Sequence, residues 1–193
     1  MLRYCTTATE RAHFLGAVNT LRRNSDTSWH GDHLDGQGFV DGIRAAGGNP
    51  DRQRALLVGA GGAGTAIAHA LLEAGVSQLA IHDQDSARRN ALLARLHTQF
   101  ADRVIVGSTD PSGFDLVVNA TPAGMRPGDA LPIQVDRLRR AMFVGDVITS
   151  PELTPMLLAA RERQCATLTG VGMFNAVAVL MLDFLTHRRS SSL

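Results

Sequence analysis

The chain contains no lysine; all nineteen of its basic side chains are arginine. A Schiff base, or an amine that gives and takes a proton near neutral pH, is therefore not available from this chain, because a guanidinium titrates too high for either task. Cysteine is nearly as scarce. Cys5 and Cys165 are the only two, too few for a disulfide framework, so a reducing cytoplasm is the expected setting. Acidic and basic side chains almost cancel, to a net charge of +1. The basic pairs Arg22-Arg23, Arg139-Arg140 and Arg188-Arg189 are short, so charge argues for neither a nucleic acid nor a membrane surface as partner. The longest apolar run, 176–182, stops at Asp183 and is too short to span a bilayer. Residues 1–10 lack the apolar core of a secretory signal, so none is expected. What remains, 193 residues of which 45% are hydrophobic, suits one globular domain or one domain plus a piece of a second.

Glycine is plentiful, and its placement organises the chain. Residues 55–58 are an apolar run that reads as a buried strand. Gly59, Gly61 and Gly64 follow as G-x-G-x-x-G, and an apolar-periodic segment covers 66–72. Strand, glycine turn and helix in that order are the context in which this motif carries a mechanism. Gly59 permits the tight turn, Gly61 lets backbone N–H groups approach a diphosphate, and Gly64 lets helix and strand lie close. The helix start then offers an anion unpaired N–H groups and a partial positive charge. Residues 78–82 read as the next strand. Asp83 stands at its end, about 20 residues past the glycines, where a carboxylate would hold ribose hydroxyls. This pattern predicts dinucleotide binding. The alternatives are a methyltransferase-like site for another adenosine cofactor, and a glycine turn without ligand in which Asp83 or Asp85 merely caps the next helix.

Further along, helical and extended patterns alternate. Helices are expected over 86–99, 154–163 and 173–187, and strands over 104–106, 114–118, 141–147 and 166–168. The alternation predicts an α/β fold on a doubly wound parallel sheet covered on both faces. Residues 1–11 carry no clear signal, 14–21 read as a short strand or turn, 24–28 as a polar turn, and 128–140 as a loop with a short helix. An amphipathic helix is expected over 38–46 with Asp35 as its N-cap, and the loop 47–51 marks a domain boundary.

Five stretches carry a closer likeness: Gly16-Ala17-Val18-Asn19-Thr20, Leu34-Asp35-Gly36-Gln37-Gly38-Phe39, the 59–64 turn, Asn119-Ala120-Thr121-Pro122-Ala123-Gly124-Met125, and Asp146 through Thr154-Pro155 into Gly170-Val171-Gly172-Met173. In this order and at these spacings the chain resembles the shikimate dehydrogenase family, which includes quinate/shikimate dehydrogenases. The resemblance implies an N-terminal substrate domain and a C-terminal Rossmann-like cofactor domain. This chain would carry a remnant of the first with its linker helix (1–47), the second (48–172), and a C-terminal helix returning toward the first (173–193). The part of a full-length member with the catalytic lysine, and with the hydroxyl contacts to the substrate carboxylate, would be absent.

The resemblance also implies an NAD(P)-dependent oxidoreductase that moves a hydride between a nicotinamide and a shikimate- or quinate-like hydroxy acid. Asn19 would hydrogen-bond a ring hydroxyl. Asp35 would be the carboxylate half of a lysine–aspartate pair that relays the hydroxyl proton as hydride leaves the neighbouring carbon. Gly59, Ala60, Gly61, Gly62 and Ala63 would hold the diphosphate, Thr121 and Gly170 would sit near the nicotinamide, and Met173 would begin the last helix beside the substrate cleft. Where NADP-specific members carry Asn-Arg-Thr, this chain has Asp83-Gln84-Asp85, which favours NAD over NADP; Arg88, a helical turn on, remains a cation within reach of a phosphate. The chain departs from the family at His33-Leu34 (Asn-Thr), Thr149 (Tyr), Val177 (Gln) and Thr169 (Asp). With no lysine to pair with Asp35, turnover by this chain alone is expected to be impaired. The alternatives are a catalytically inactive dinucleotide-binding remnant and a regulatory binding module.

Other clusters are weaker. His30, Asp32, His33 and Asp35 alternate too closely to converge on one ion, so no metal site is expected. Cys165 reads as a core thiol. Asn119-Ala120-Thr121 fits a glycosylation acceptor that a cytoplasmic protein would not use. Residues 190–192 read as a solvated end. The apolar face Val177, Leu180, Met181 and Phe184 would pack on the substrate domain; without most of that domain it would be exposed, which implies either self-association, as in a homodimer, or poor solubility.

Overall fold

A computed structural model gives the fold and describes residues 1–186. The expectations for His187, Arg188-Arg189 and residues 190–192 lie outside the described residues. The chain opens with a 3-10 turn (Leu2–Tyr4), strand β1 (Thr7–Ala8), helix α1 (Glu10–Leu15) and strands β2 (Thr20–Arg23) and β3 (Trp29–Asp32). These strands form a small sheet in the order β1-β3-β2, with β1 parallel and β2 antiparallel to β3. Residues 1–11, blank to sequence reasoning, are thus structured. A two-residue strand is too short to show a period, and α1 is marked by its cap rather than by an apolar stripe: Thr9 Oγ1 accepts Ala12 N–H at 3.3 Å. The polar turn at 24–28 closes the β2–β3 hairpin, Asn24 N–H donating to Ser28 O at 2.9 Å.

Helix α2 (Asp35–Ala45) starts three residues before the expected position 38. Asp35 is therefore in its first turn and not its N-cap; Leu34 holds the cap position and no side chain caps the helix. Two glycines in the first turn, Gly36 and Gly38, weaken helix propensity and hid that turn from the sequence pattern.

The main sheet begins with β4 (Arg54–Val58), which leads into α3 (Gly62–Glu73). Then follow β5 (Gln78–His82), α4 (Ser86–Phe100), β6 (Val104–Val106), β7 (Leu116–Asn119), β8 (Phe143–Asp146), α5 (Pro155–Glu162), β9 (Ala166–Leu168) and α6 (Gly170–Thr186). All six strands are parallel, in the order β6-β5-β4-β7-β8-β9. Both faces of the central strands β4, β7 and β8 are buried, so these read as continuous apolar runs. Ala55 and Leu57 point into one core with residues of α2, α3, α4 and α6, while Leu56 and Val58 point into the other with Met156, Leu157 and Ala160 of α5. A side chain at Gly36 would overlap the Ala66 carbonyl, and one at Gly38 would overlap Val177. These glycines let α2 pack tightly between α3 and α6.

Helix α6 also starts earlier than expected, at Gly170. Thr169 Oγ1 accepts Gly172 N–H at 3.1 Å and caps the helix. The apolar face expected to be exposed is not. Val177 is buried, and Leu180, Met181 and Phe184 pack on the core. The reason is that α2 and the β2–β3 hairpin occupy that side: the Arg22 guanidinium lies 4.9 Å over the Phe184 ring and His30 stacks on it at 5.6 Å. The outward apolar residues of α6 are instead Phe174, Val179, Leu182 and Leu185.

Candidate functional site

A crevice of about 770 Å³ opens at the carboxyl ends of β4, β5 and β7. Its floor is the 59–64 turn. Gly59 has φ +106°, a backbone state that other residues rarely adopt, and an added Cβ would run into the Ala120 carbonyl at 2.6 Å. Helix α3 then starts without any side-chain cap. Its N-cap residue Gly61 lines the opening, which puts the positive end of the helix dipole on that side.

Asp83 stands beside this turn, buried, with both carboxylate oxygens engaged. Oδ2 accepts Ala60 N–H at 2.7 Å and Oδ1 accepts Asp85 N–H at 2.8 Å. Burial raises its pKa, but the two N–H donors and the Arg88 guanidinium, 3.7 Å away, outweigh it and hold the carboxyl below the ordinary range. It is thus an anion with a lone pair left on each oxygen. Of the two aspartates weighed as helix caps, Asp85 is the one: its Oδ1 accepts Ala87 N–H at 3.0 Å and Arg88 N–H at 3.1 Å. Arg88 is drawn to both carboxylates, at 3.7 Å from Asp83 and 3.5 Å from Asp85.

Of the residues singled out from sequence, Gly59, Gly61, Asp83, Arg88 and Thr121 line this crevice together. Ala60 is buried and its N–H is already taken by Asp83. Gly62 and Ala63 form the first turn of α3 and do not line the crevice themselves. Gly170 lies farther along, at the start of α6, where a Cβ would overlap the Ile148 carbonyl. Asn19 and Asp35 stand apart from the crevice and bond each other, Asn19 Nδ2 donating to Asp35 Oδ1 at 2.7 Å. The Asn19 carbonyl oxygen accepts Leu34 N–H at 3.1 Å, which fixes the way the amide faces. His30, Asp32, His33 and Asp35 do not converge: His30 bonds Thr7, Asp32 bonds Arg11, and Asp35 bonds Asn19. Cys165 is buried, and burial raises its thiol pKa.

Sequence reasoning missed the support of the crevice wall. Asn119 Oδ1 accepts both Thr121 N–H (3.0 Å) and Thr121 Oγ1–H (2.7 Å), while Asn119 Nδ2 donates to Asp146. An asparagine two residues before a threonine is a turn-forming signal that could have shown the first half of this network. Asp129 Oδ2 accepts Gly124 N–H and Arg126 N–H and shapes the loop that brings Arg126 to the crevice. That loop has no periodicity from which to infer it.

No protein-family model matches the chain. Its sequence is 34% identical to shikimate dehydrogenase (NADP(+)) of Streptomyces avermitilis, over 100% of this chain and 68% of that protein. Among solved structures, quinate dehydrogenase from Corynebacterium glutamicum in complex with NAD superposes with a TM-score of 0.87 at 33% identity, over 96% of this chain and 68% of the other. The ligand-free 5-ketofructose reductase of Gluconobacter sp. strain CHM43 gives a TM-score of 0.88 at 29% identity, over 97% and 69%. Against other curated relatives the chain spans about 60% of their length. With the glycine turn, the parallel sheet order and these matches together, the chain belongs to the shikimate/quinate dehydrogenase family.

Proposed function

We propose that this chain binds a dinucleotide across the β4–β7 crevice and contributes to an NAD(P)-dependent oxidoreductase acting on a shikimate- or quinate-like hydroxy acid. The observation that carries this reading is the uncapped start of α3 facing the crevice with an ionised, buried Asp83 at its edge. Open amides suit a diphosphate and a carboxylate acceptor suits ribose hydroxyls. When bound, the nicotinamide accepts or returns a hydride. In this reading Gly59, Gly61, Gly62 and Ala63 hold the diphosphate, with Ala60 shaping the turn through Asp83. Thr121 and Gly170 border the nicotinamide end.

NAD is favoured over NADP. A 2′-phosphate would approach Asp83 and Asp85, and Arg88 is already shared between them. Asn19 would orient a substrate hydroxyl, and Asp35 would accept its proton, directly or through a solvent molecule. The 5-ketofructose reductase, whose name points to a different substrate, keeps the same frame, so the substrate is set by the residues of the site and not by the fold. The free thiols Cys5 and Cys165 suit a cytoplasmic setting, and a homodimer would form through the outward residues of α6 rather than the face expected from sequence.

A second reading has its own support. These residues include no lysine to pair with Asp35, which favours dinucleotide binding without turnover by them alone. Calorimetric titration with NAD and NADP, followed by an assay for shikimate- or quinate-dependent NADH formation, decides. Binding with turnover supports the dehydrogenase, binding without it the inactive remnant, and no binding of either nucleotide refutes both.

A further inference from the structure

We propose that Asp146 selects the oxidised dinucleotide, its buried carboxylate supplying, from behind the Asn119–Thr121 wall of the crevice, the negative charge that a positively charged nicotinamide ring would meet. This rests on the dinucleotide reading above. Asp146 ends β8 and is completely buried. Its partners are Asn119 Nδ2–H at 3.1 Å, Ile148 N–H at 3.1 Å and Thr154 Oγ1–H at 2.8 Å.

The donor roles of these partners are dictated by their other bonds. Asn119 Oδ1 faces Thr121 N–H, so the amide nitrogen must face Asp146. Thr154 Oγ1 accepts Leu157 N–H at 3.3 Å and donates its own hydrogen to Asp146 Oδ2. Asp146 Oδ1 already takes two N–H donors, so a proton there would set donor against donor, and the three donors together favour the carboxylate. Every partner is neutral, and among the described residues Asp146 takes part in no ion pair. Burial pushes its pKa up, against the pull of the three donors.

A buried anion without a cation is costly to maintain, and this one lies in a telling place. In a doubly wound sheet each half receives one mononucleotide. The β4–β5–β6 half carries Asp83 for the adenosine side, which leaves the β7–β8–β9 half, with Asn119 and Asp146 at its strand ends, for the nicotinamide side. The oxidised ring bears a positive charge that the reduced ring lacks. A fixed negative charge there stabilises the oxidised form and leaves the reduced form nearly unaffected.

The test measures dissociation constants of NAD⁺ and NADH by calorimetry for the unsubstituted chain, Asp146→Asn and Thr154→Ala. Loss of the charge should weaken NAD⁺ on the order of tenfold and change NADH by less than about twofold. Thr154→Ala loosens the same network but keeps the charge, so both affinities should move by the same factor. Asp146→Ser, a smaller neutral acceptor, should reproduce the shift if the asparagine variant does not fold. Equal weakening of both forms in the Asp146 variants, or no change in either, would overturn the assignment while leaving the dinucleotide site intact. An unsubstituted chain that binds neither form would overturn the dinucleotide reading and this assignment with it.

Discussion

Replacing Asp83 with asparagine removes one charge from the crevice and leaves its shape almost unchanged. The carboxylate now serves two backbone donors, Ala60 N–H at 2.7 Å and Asp85 N–H at 2.8 Å. An amide can accept from only one of them. Ala60 is 4% exposed, so the amide oxygen should turn to it, and the lost bond falls on Asp85 N–H, nearer solvent. The contact to Arg88 is long, at 3.7 Å, and that side chain is 55% exposed, so its loss weighs little. The expected cost to stability is about 1 kcal/mol, a drop of roughly 2–4 °C for a domain of this size. The effect on ligands should be larger. A charged acceptor for a ribose hydroxyl exceeds a neutral one by about 1 kcal/mol, so NAD should weaken roughly fivefold. NADP should gain about tenfold, because its phosphate no longer faces Asp83 and Arg88 is freed from one partner. Calorimetric titration of both nucleotides, with urea melts run in parallel, reads the combined shift. A NAD-to-NADP affinity ratio that moves by less than about threefold in a folded variant would refute the role given to Asp83.

Gly64→Ala should destabilise by about 3 kcal/mol or more and abolish nucleotide binding, because the new Cβ overlaps the Gly59 carbonyl, a backbone atom that cannot yield without opening the turn. An unchanged urea midpoint would contradict the close strand–helix approach. Asp32→Asn should cost about 3 kcal/mol, since it leaves the Arg11 guanidinium, which donates from Nε at 2.7 Å, without its anion. Burial raises the Asp32 pKa, but Arg11 and Thr9 lower it more, so its folded value lies below its unfolded one. Its contribution is therefore present above the unfolded pKa, about 3.9, and is lost as pH falls through the folded value; acid melts of the asparagine variant should lack that loss. His69 is buried between Phe14, 4.3 Å away, and Phe100, 5.6 Å away, and burial lowers its pKa against the pull of Glu73. The fold should then lose stability as pH drops below about 6.5, where the unfolded chain takes up a proton that the folded one resists. His69→Gln should flatten that slope in melts between about pH 5 and 7.

The main sheet and its ligand-facing turn were readable in the sequence because both depend on local chemistry. Residues 55–58 and 78–82 are apolar runs bounded by turns, and the spacing of Gly59, Gly61 and Gly64 is a backbone requirement that few other residues meet. Asp83 could be picked out by its distance from those glycines. Its two backbone partners could not, because Ala60 lies 23 residues away and is brought near only by the β4–β5 register. The early starts of α2 and α6 were hidden for a related reason. Gly36, Gly38, Gly170 and Gly172 oppose a helix locally, and only close packing against Ala66, Val177 and neighbouring backbone makes them favourable. The packing face of α6 (Val177, Leu180, Met181 and Phe184) was readable from its spacing, but what covers it was not, because that depends on where α2 and the β2–β3 hairpin lie. The Asp146–Asn119–Thr154 network joins positions as far as 27 residues apart and has no periodic trace. Patterns along a chain reveal what each segment can form, whereas the pairing of distant polar groups depends on which strands become neighbours.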